Sequence, residues 1–334
     1  MSFIKKYGVS RSKVLNVLVI VLLLVFLVSA TLYFINLWES KNEDFQGSKE
    51  DFEDSVLTFE GNNYVLKQDV ETYLFLGLDK FETEEIVSYN NDKRADFLML
   101  LVVDNKNSEF SALHINRDTM TDFNVLGVAG DKIGSVNKQI ALSHTYGNGK
   151  EISCRNTANA VSNLLNGIKI DHYVSVTMDA VPKITDLVGG VEVEVLDDFS
   201  GVDDTLVAGQ KVLLTGEHAL NYVRTRYNLD DSSNENRMKR QKQYLEALYS
   251  KIKQSFEQNA DFIDNSVLEL TEYTVSDCSV NRLQTLGERI STFEFVGIKD
   301  FEGEYVVGEK YMEFYPDKQS ITATNVELFY ELQK

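Results

Sequence analysis

The sequence predicts an α/β domain in which helices flank a central, mainly parallel or mixed β-sheet. Short apolar segments suited to buried strands occur at 73–78, 97–103, 110–115 and 173–178. Segments with the helical spacing of apolar residues occur at 157–165, 180–188 and 235–258. Because strands that alternate with helices are typical of a sheet covered on both faces, we expect functional side chains at the carboxyl ends of the strands.

The chain begins with a segment that predicts one transmembrane helix. Residues 14–37 contain no charged side chain, and a helix rising about 1.5 Å per residue makes that segment long enough to cross a bilayer. Basic residues precede it and acidic residues follow it, so the positive-inside rule places residues 1–13 in the cytoplasm and the rest outside the plasma membrane. A cleaved signal peptide is the alternative, since Val28-Ser29-Ala30 resembles a cleavage site, but the apolar segment is longer than a usual signal core.

The exported part is predicted to consist of a stalk and one domain. Residues 38–64 are acidic and polar, which is typical of a solvated stalk, and residues 65–334 carry the alternating strands and helices. The chain has 33 basic and 52 acidic residues, a net charge of −19, and its first four basic residues precede the apolar segment. An acidic domain is repelled by nucleic acid, so we exclude nucleic acid as a partner.

Several common chemistries lack their motifs in this sequence. The four histidines have no metal-ligand spacing, and HExxH, Walker, GxGxxG and GxSxG motifs are absent. Neither Cys154 nor Cys278 lies in a motif that indicates a nucleophile. A disulfide between them is permitted outside the cytoplasm, but two independent thiols fit the sequence equally well.

Arginines and aspartates recur where predicted elements begin or end. Asp79 follows the first strand, Arg94 and Asp96 precede the second, and Arg117 with Asp118 follows the third. Further basic or polar residues follow at Arg224, Arg226, Arg237, Arg240 and Gln241. Ser232 and Glu235 have the spacing of a capping box, which places Arg237 in the first turn of the long helix.

One anion site explains these positions together. Arginines bind phosphate oxygens in pairs, and carboxylates hold divalent metals that bridge phosphates. Taken singly, each position has a structural alternative: a solvated helix face for Arg237, Arg240 and Gln241, turn or cap chemistry for Asp79 and Asp96, and an ion-paired edge strand for Arg224 and Arg226.

The order of the motifs resembles that of the LytR–CpsA–Psr family. After the apolar segment come LGLD (76–79), RAD (94–96), NRDT (116–119), DLVGGVEVEV (186–195), GEHALNYVRTR (216–226) and RMKRQ (237–241). The resemblance implies a phosphotransferase at the surface of a Gram-positive-type bacterium. Such an enzyme transfers a teichoic-acid-like, capsular or other wall glycopolymer from a polyprenyl pyrophosphate carrier to peptidoglycan, leaving a phosphodiester link, usually with Mg2+ (or Mn2+).

The resemblance also implies a role for each matching residue. Asp79 and Asp96 would hold the metal. The pyrophosphate would be bound by Arg94, Arg117, Arg224, Arg226, Arg237, Arg240 and Gln241. Residues acting directly in catalysis would be Asp96, Arg117, Arg226 and Arg237.

The chain departs from the family pattern at three places. Asn116 stands where proline is usual, Ala95-Asp96-Phe97 replaces Ser-Asp-Thr, and Asn234 replaces an aspartate three residues before the helix arginine. Without that aspartate the general base is open between Asp96 and the pair Asp230 and Asp231. Two other functions therefore remain open: a non-catalytic module that binds polyprenyl pyrophosphate, and a pyrophosphatase that uses water as the acceptor.

Overall fold

The computed structural model describes residues 56–79, 91–225, 233–309 and 311–333. The predicted transmembrane helix, 14–37, lies outside the described residues, as do positions 38–55 of the predicted stalk. Within the described part of the chain, no helix combines the length and the apolar character needed to cross a membrane.

The described strands are numbered along the chain. They are β1 Leu57–Phe59, β2 Asn62–Leu66, β3 Val70–Leu78, β4 Phe97–Asp104, β5 Glu109–Ile115, β6 Met120–Leu126, β7 Lys132–Gln139, β8 His172–Thr177, β9 Val191–Glu194, β10 Lys211–Leu214, β11 Thr274–Ser276, β12 Glu294–Lys299, β13 Gly303–Val307, β14 Met312–Pro316 and β15 Tyr330–Leu332. The helices are α1 Glu151–Leu164, α2 Ala180–Leu187, α3 Gly216–Arg224, α4 Asn234–Gln258, α5 Phe262–Leu270, α6 Val280–Thr292 and α7 Lys318–Phe329. Short 3-10 helices occupy Ile140–Thr145 and Thr271–Tyr273.

The central sheet is mixed, with the order β11-β8-β3-β4-β5-β12. Only the pairs β3–β8 and β5–β12 are parallel, while β3–β4, β4–β5 and β8–β11 are antiparallel. The prediction of a mixed sheet flanked by helices is confirmed, and a mainly parallel sheet is wrong. The short connection 105–108 between β4 and β5 is the physical reason, because a tight turn returns the chain beside the strand it has just left.

This strand direction brings three chain ends to one edge of the sheet. β3 ends, β4 begins and β5 ends at that edge, because β4 runs opposite to both neighbours. Leu98 pairs with Ile115, and the same register continued by two residues sets Asp96 opposite Arg117. The backbone N–H of Asp96 is held by the carbonyl of Gly77 at 2.9 Å. Asp79, Asp96 and Arg117 therefore share one edge.

Apolar side chains cover the sheet on both faces. Tyr73, Met99, Leu101 and Ala112 pack on one face against Leu286 of α6. Side chains alternate across a strand, so the neighbouring residues point to the opposite face. Those neighbours, Leu74, Leu76, Leu98, Leu100 and Leu113, are fully buried. The predicted two-sided burial of the strands is confirmed.

The last part of the predicted stalk belongs to the domain. In the range 38–64, β1 and most of β2 form strands, and β15 from the C-terminus completes a three-stranded sheet with them. Leu57 and Phe59 are partly buried, and Tyr64 pairs with both Leu57 and Leu332. The prediction that the stalk extends to residue 64 is therefore wrong, because the strand that pairs with these residues comes from the distant C-terminus.

The DLVGG segment fixes two helix ends. α2 ends before Gly189 and Gly190, which have φ values of 74° and 97° and return hydrogen bonds to the carbonyls of Asp186 and Thr185. These left-handed conformations suit glycine and close the helix as predicted. The Asp186 carboxylate accepts a hydrogen bond of 2.8 Å from the Gly216 N–H, the first residue of α3. α3 continues to Arg224, so the alternative that Arg224 lies on an edge strand is wrong.

The long helix α4 begins one residue before the predicted start. Its N-cap is Ser233, whose hydroxyl accepts a hydrogen bond of 3.2 Å from the Asn236 N–H. The predicted cap residue, Ser232, lies outside the described residues. Arg237 follows at the end of the first turn, as the sequence predicts.

Arg240 is enclosed between α4 and α3. Its side chain is 1% exposed, its Nε donates to the Tyr222 carbonyl at 2.9 Å, and its Nη atoms pair with Asp197 and the Thr225 carbonyl. Its Cζ lies 5.4 Å from the centre of the Phe199 ring. A guanidinium whose donors are directed at protein groups in the interior stabilises the fold, and this geometry does not favour the predicted pyrophosphate contact of Arg240.

We predict that Arg240→Ala lowers the free energy of unfolding by about 3–5 kcal/mol, because it leaves the Asp197 carboxylate and two carbonyls without their donor. Urea unfolding of the protein followed by circular dichroism measures this change. The neighbouring Lys239 forms an exposed pair with Glu235, so Lys239→Ala is the matched control and should change stability by about 0.5 kcal/mol or less. Equal stability of the two variants would contradict the structural role of Arg240.

Candidate active site

A buried ion pair lies at the edge where β4 begins and β5 ends. Arg117 Nη1 lies 2.5 Å from Asp96 Oδ1, and the two side chains are only 9% and 17% exposed. Arg117 Nε faces Asp118 Oδ1 at 3.4 Å, and Gln139 donates to the same oxygen at 3.0 Å. The predicted orientation of Arg117 by Asp118 therefore has a geometric basis, and Gln139 adds a contact that the sequence did not indicate.

A second arginine approaches Asp96 from the start of α4. Arg237 Nη2 lies 3.4 Å from the Asp96 carbonyl and donates to Asn234 Oδ1 at 2.5 Å. The structure thus brings Asp96, Arg117 and Arg237 together, as predicted. Two guanidinium groups and the carboxylates of Asp96 and Asp118 therefore meet at this edge of an acidic domain.

The two asparagines that depart from the family pattern are bonded to each other. Asn234 Nδ2 donates to Asn116 Oδ1 at 2.7 Å, and the Asp118 N–H donates to the same oxygen at 2.9 Å. Asn116 in turn donates to the Tyr305 hydroxyl at 2.8 Å. An amide at position 234 brings no charge to its contact with Arg237, whereas an aspartate there would bring a negative charge.

A second, more exposed ion pair lies at the end of β3. Arg224 Nη2 lies 3.0 Å from Asp79 Oδ1, and the side chains are 48% and 61% exposed. Arg226 lies outside the described residues, as do Asp230 and Asp231, two of the three predicted candidates for the general base. Asp79 and Arg224 are therefore at the predicted edge, as a solvent-accessible pair.

Two further predicted residues lie apart from the Asp96 cluster. Arg94 is exposed and lines a pocket of ≈ 310 Å³ with Lys138 and Tyr146, which belongs to neither ion pair. Gln241 is buried, and its amide donates to the Val223 carbonyl at 3.2 Å. Like Arg240, Gln241 thereby joins α4 to α3.

An apolar cavity of ≈ 340 Å³ lies beside the site, between one face of the sheet and helices α2, α4, α5 and α6. Phe75, Gly77 and Phe97 line it from the site edge of the sheet, and Gln241 lines it from α4. A Cβ on Gly77 would lie 2.8 Å from the Phe97 Cβ, so only glycine fits this approach. The sequence could not distinguish the apolar lining of a cavity from an ordinary core, because both consist of leucine, valine and phenylalanine.

The histidine nearest the arginines is neutral. His114 is buried on β5, and burial together with the charges of Arg237 and Lys242 lowers its pKa to about 3. An imidazole with that pKa does not supply a proton at neutral pH. The ionisable groups that remain at the cluster are the carboxylates and the arginines.

The donors at the edge suit a hard divalent cation. Asp79 and Asp96 offer carboxylate oxygens, the ligand type that Mg2+ and Mn2+ prefer. Oδ1 of each carboxylate faces an arginine. The described residues also contain one group of three potential metal ligands, His172, Asp277 and Cys278, but Arg282 Nη1 lies 2.6 Å from the His172 ring there. Both cysteines are free thiols.

Known proteins resemble this chain in sequence and in fold. The model of the LytR_cpsA_psr family matches residues 32–329. The polyisoprenyl-teichoic acid–peptidoglycan teichoic acid transferase TagU of Halalkalibacterium halodurans is 34% identical over 188 residues, which cover 56% of this chain and 54% of the relative. TagV of Bacillus subtilis, a transferase of the same description, is 33% identical over 193 residues, or 56% of this chain and 45% of the relative. The chain thus matches about half the length of these curated relatives.

Solved structures share the fold. The crystal structure of B. subtilis TagV superposes with a TM-score of 0.61 and 27% identity, covering 79% of this chain and 97% of that one. A structure of TagT bound to LIIa-WTA superposes with a TM-score of 0.59 and 22% identity, covering 78% and 90%. The match of the family model over most of the chain, together with this shared fold, shows that the chain belongs to the LytR–CpsA–Psr family.

Proposed function

We propose that this protein is a membrane-anchored, extracytoplasmic phosphotransferase that moves a wall glycopolymer from a polyprenyl pyrophosphate carrier to peptidoglycan. The observation that supports this most is the position of the Asp96, Arg117 and Arg237 cluster beside an apolar cavity. This chain matches about half the length of two relatives that are described as teichoic acid–peptidoglycan transferases.

The arginines suit a pyrophosphate. Guanidinium groups bind phosphate oxygens with two parallel hydrogen bonds, and such charge-assisted bonds are about twice as strong as neutral ones. Arg117 and Arg237 are buried, so a bound pyrophosphate interacts with them at low dielectric. Arg224 would extend the binding site towards solvent, and Arg226, outside the described residues, stays a predicted ligand.

The apolar cavity suits the polyprenyl chain. Its lining is almost wholly apolar and begins at Gly77 and Phe97, next to Asp96 in the chain and in space. A hydrocarbon tail buried there loses its contact with water, which stabilises the complex by about 25 cal/mol per Å² of apolar surface. The headgroup then lies at the arginines.

The transfer step follows from this placement. A hydroxyl oxygen of the acceptor glycan forms a bond to the phosphorus that carries the glycopolymer, and the bond from that phosphorus to the bridging anhydride oxygen breaks. The bridging oxygen leaves with polyprenyl phosphate, and Arg117 and Arg237 stabilise its negative charge. A carboxylate accepts the hydroxyl proton, and the candidates are Asp96, Asp230 and Asp231.

We propose Mg2+ (or Mn2+) as the cofactor, held by Asp79 and Asp96. When bound, the ion would neutralise charge on the phosphate oxygens. With so few protein ligands, the cation would need substrate phosphates to complete its octahedron, so metal and pyrophosphate should bind together.

A non-catalytic binding module is the second candidate. Asn234 favours it, because an amide beside Arg237 strengthens anion binding while removing a carboxylate that could act as a base. A pyrophosphatase would use the same arginines with water as the acceptor.

We predict that the protein transfers the glycan. Full-length protein is incubated with a polyprenyl-pyrophosphate glycan, with and without uncrosslinked peptidoglycan, and the products are separated by chromatography. A glycan–peptidoglycan phosphodiester that forms only with the acceptor is the expected product. Free glycan phosphate formed equally in both reactions would indicate the pyrophosphatase, and unchanged donor retained on the protein would indicate the binding module.

The metal has its own test. The affinity for the polyprenyl-pyrophosphate glycan should increase with Mg2+ concentration in the wild type and respond much less in Asp79→Asn, whose carboxylate is exposed and thus dispensable for the fold. Asp122→Asn, an exposed carboxylate on β6 that pairs with Asn137, is the control and should respond like the wild type. Equal affinity of the wild type in EDTA and in millimolar Mg2+ would contradict the proposed metal site.

We also propose that residues 14–37 are a retained single-pass anchor in the plasma membrane, with the N-terminus in the cytoplasm. The retained segment should keep the protein in the membrane fraction after a high-salt wash, since an apolar helix is not released by salt. N-terminal sequencing of the mature protein should start at or near Met1. A mature protein that begins at Thr31 would show that the segment is a cleaved signal peptide.

A further inference from the structure

A polar groove of ≈ 420 Å³ opens beside Asn116. Helix α4 forms one wall, and the loop before β13 with the β13–β14 hairpin forms the other. Its lining includes His114 and Asn116 from β5, Glu235 and Met238 from α4, and Phe301 and Tyr305 from the opposite wall. The groove lies outside every contact that the transfer step uses.

The asparagine pair separates this groove from the arginine cluster. Asn116 lines the groove and is followed in the chain by Arg117, while Glu235 lines the groove and is preceded by Asn234, the partner of Arg237. The bond of 2.7 Å between Asn234 and Asn116 lies between the groove and the arginines. The groove and the apolar cavity lie on the same face of the sheet, where the ring of His114 in the groove is 5.1 Å from the ring of Phe97 in the cavity. A ligand in the groove would therefore lie next to the arginines and beside the apolar cavity.

Tyr305 offers a hydrogen-bond donor to this groove. Its hydroxyl accepts a hydrogen bond of 2.8 Å from Asn116, so the hydroxyl hydrogen remains for another acceptor, and none of the described residues accepts it. Burial and the nearby Glu235 and Asp118 carboxylates raise the pKa of Tyr305 to about 12, which keeps that hydrogen in place. The ring is 39% exposed and packs on Phe314 with centroids 4.9 Å apart.

The charges of the groove indicate what kind of ligand it takes. Carboxylates from Glu235, Asp300 and Glu302 line it together with the ammonium groups of Lys239 and Lys242. Three carboxylates repel a polyanion, so the groove does not suit the phosphate-rich chain of a teichoic acid. Mixed charges, a phenol and aromatic surface suit a sugar that carries hydroxyl and amide groups, since each can donate and accept hydrogen bonds.

We propose that this groove is the binding site of the acceptor, a peptidoglycan glycan strand, and that the Tyr305 hydroxyl positions the acceptor sugar. This inference rests on the proposed transferase function, because it assigns the second substrate of the same reaction. Donor and acceptor would then occupy neighbouring sites, and the acceptor hydroxyl would reach the phosphorus at Arg117 and Arg237 past the Asn116–Asn234 pair. Tyr305 is a positioning residue, and the groove gives the acceptor its own affinity in the absence of donor.

The test compares Tyr305→Phe with Tyr315→Phe in the full-length protein. Tyr315 lies on β14 of the same hairpin, bonds only Glu313 among the described residues and does not line the groove, so it is the matched control. Loss of one hydrogen bond of about 0.5–1.5 kcal/mol should raise the KM for uncrosslinked glycan strands about twofold to tenfold in Tyr305→Phe. The KM for the lipid-linked donor should not change, and Tyr315→Phe should match the wild type in both constants.

A direct binding measurement separates failure of this inference from failure of the proposed function. Donor-free full-length protein in nanodiscs is titrated with soluble glycan strands, and Tyr305→Phe should weaken binding by the same factor as it raises the KM. Strands that bind both proteins equally, or an acceptor KM that does not change, would overturn the acceptor groove while leaving the transferase intact. Hydrolysis of the donor without transfer by the wild type would overturn the proposed transferase function. The binding measurement would in that case still show whether the groove binds a glycan.

Discussion

The antiparallel ladder of β3, β4 and β5 is the constraint on which the site depends. It places the end of β3, the start of β4 and the end of β5 at one edge, and its register sets Asp96 opposite Arg117. A buried pair of this kind adds little net stability, because desolvation offsets the attraction. The pair instead fixes the position of the guanidinium, because one Nη is held by Asp96 and the group is already desolvated before a phosphate binds. Binding then costs less conformational entropy.

The start of α4 contributes the second arginine of the site, and its side chains have two different roles. Arg237 reaches the Asp96 carbonyl, whereas Arg240, one turn later, is directed inward at Asp197 and the end of α3. Arg240 thereby fixes the helix that carries Arg224 to the helix that carries Arg237. Residues of α4 also line both the apolar cavity and the polar groove, the spaces that we propose for the lipid tail and for the acceptor.

Local patterns in the sequence predicted much of the fold, and long-range pairing explains what they missed. The apolar strands, the long helix and the glycine end of α2 follow from periodicity and backbone preference, which are local. Strand direction depends on the turn at 105–108, and the strands in the predicted stalk depend on β15 at the other end of the chain. For the site, arginine spacing predicted Arg117 and Arg237, but spacing does not distinguish a ligand-binding arginine from Arg240, whose partners come from distant loops. Nothing near Tyr305 in the sequence indicates its contact with Asn116.

Binding of the pyrophosphate by Arg117 is tested by the dissociation constant of the polyprenyl-pyrophosphate glycan for Arg117→Gln. Arg155→Gln, on α1, is the control with the same loss of charge. Losing charge-assisted hydrogen bonds of about 1.5–3 kcal/mol should raise the dissociation constant about tenfold to hundredfold in Arg117→Gln and leave the control near the wild type. A dissociation constant that does not change in Arg117→Gln, accompanied by a loss of stability, would show that the Asp96–Arg117 pair serves the fold alone.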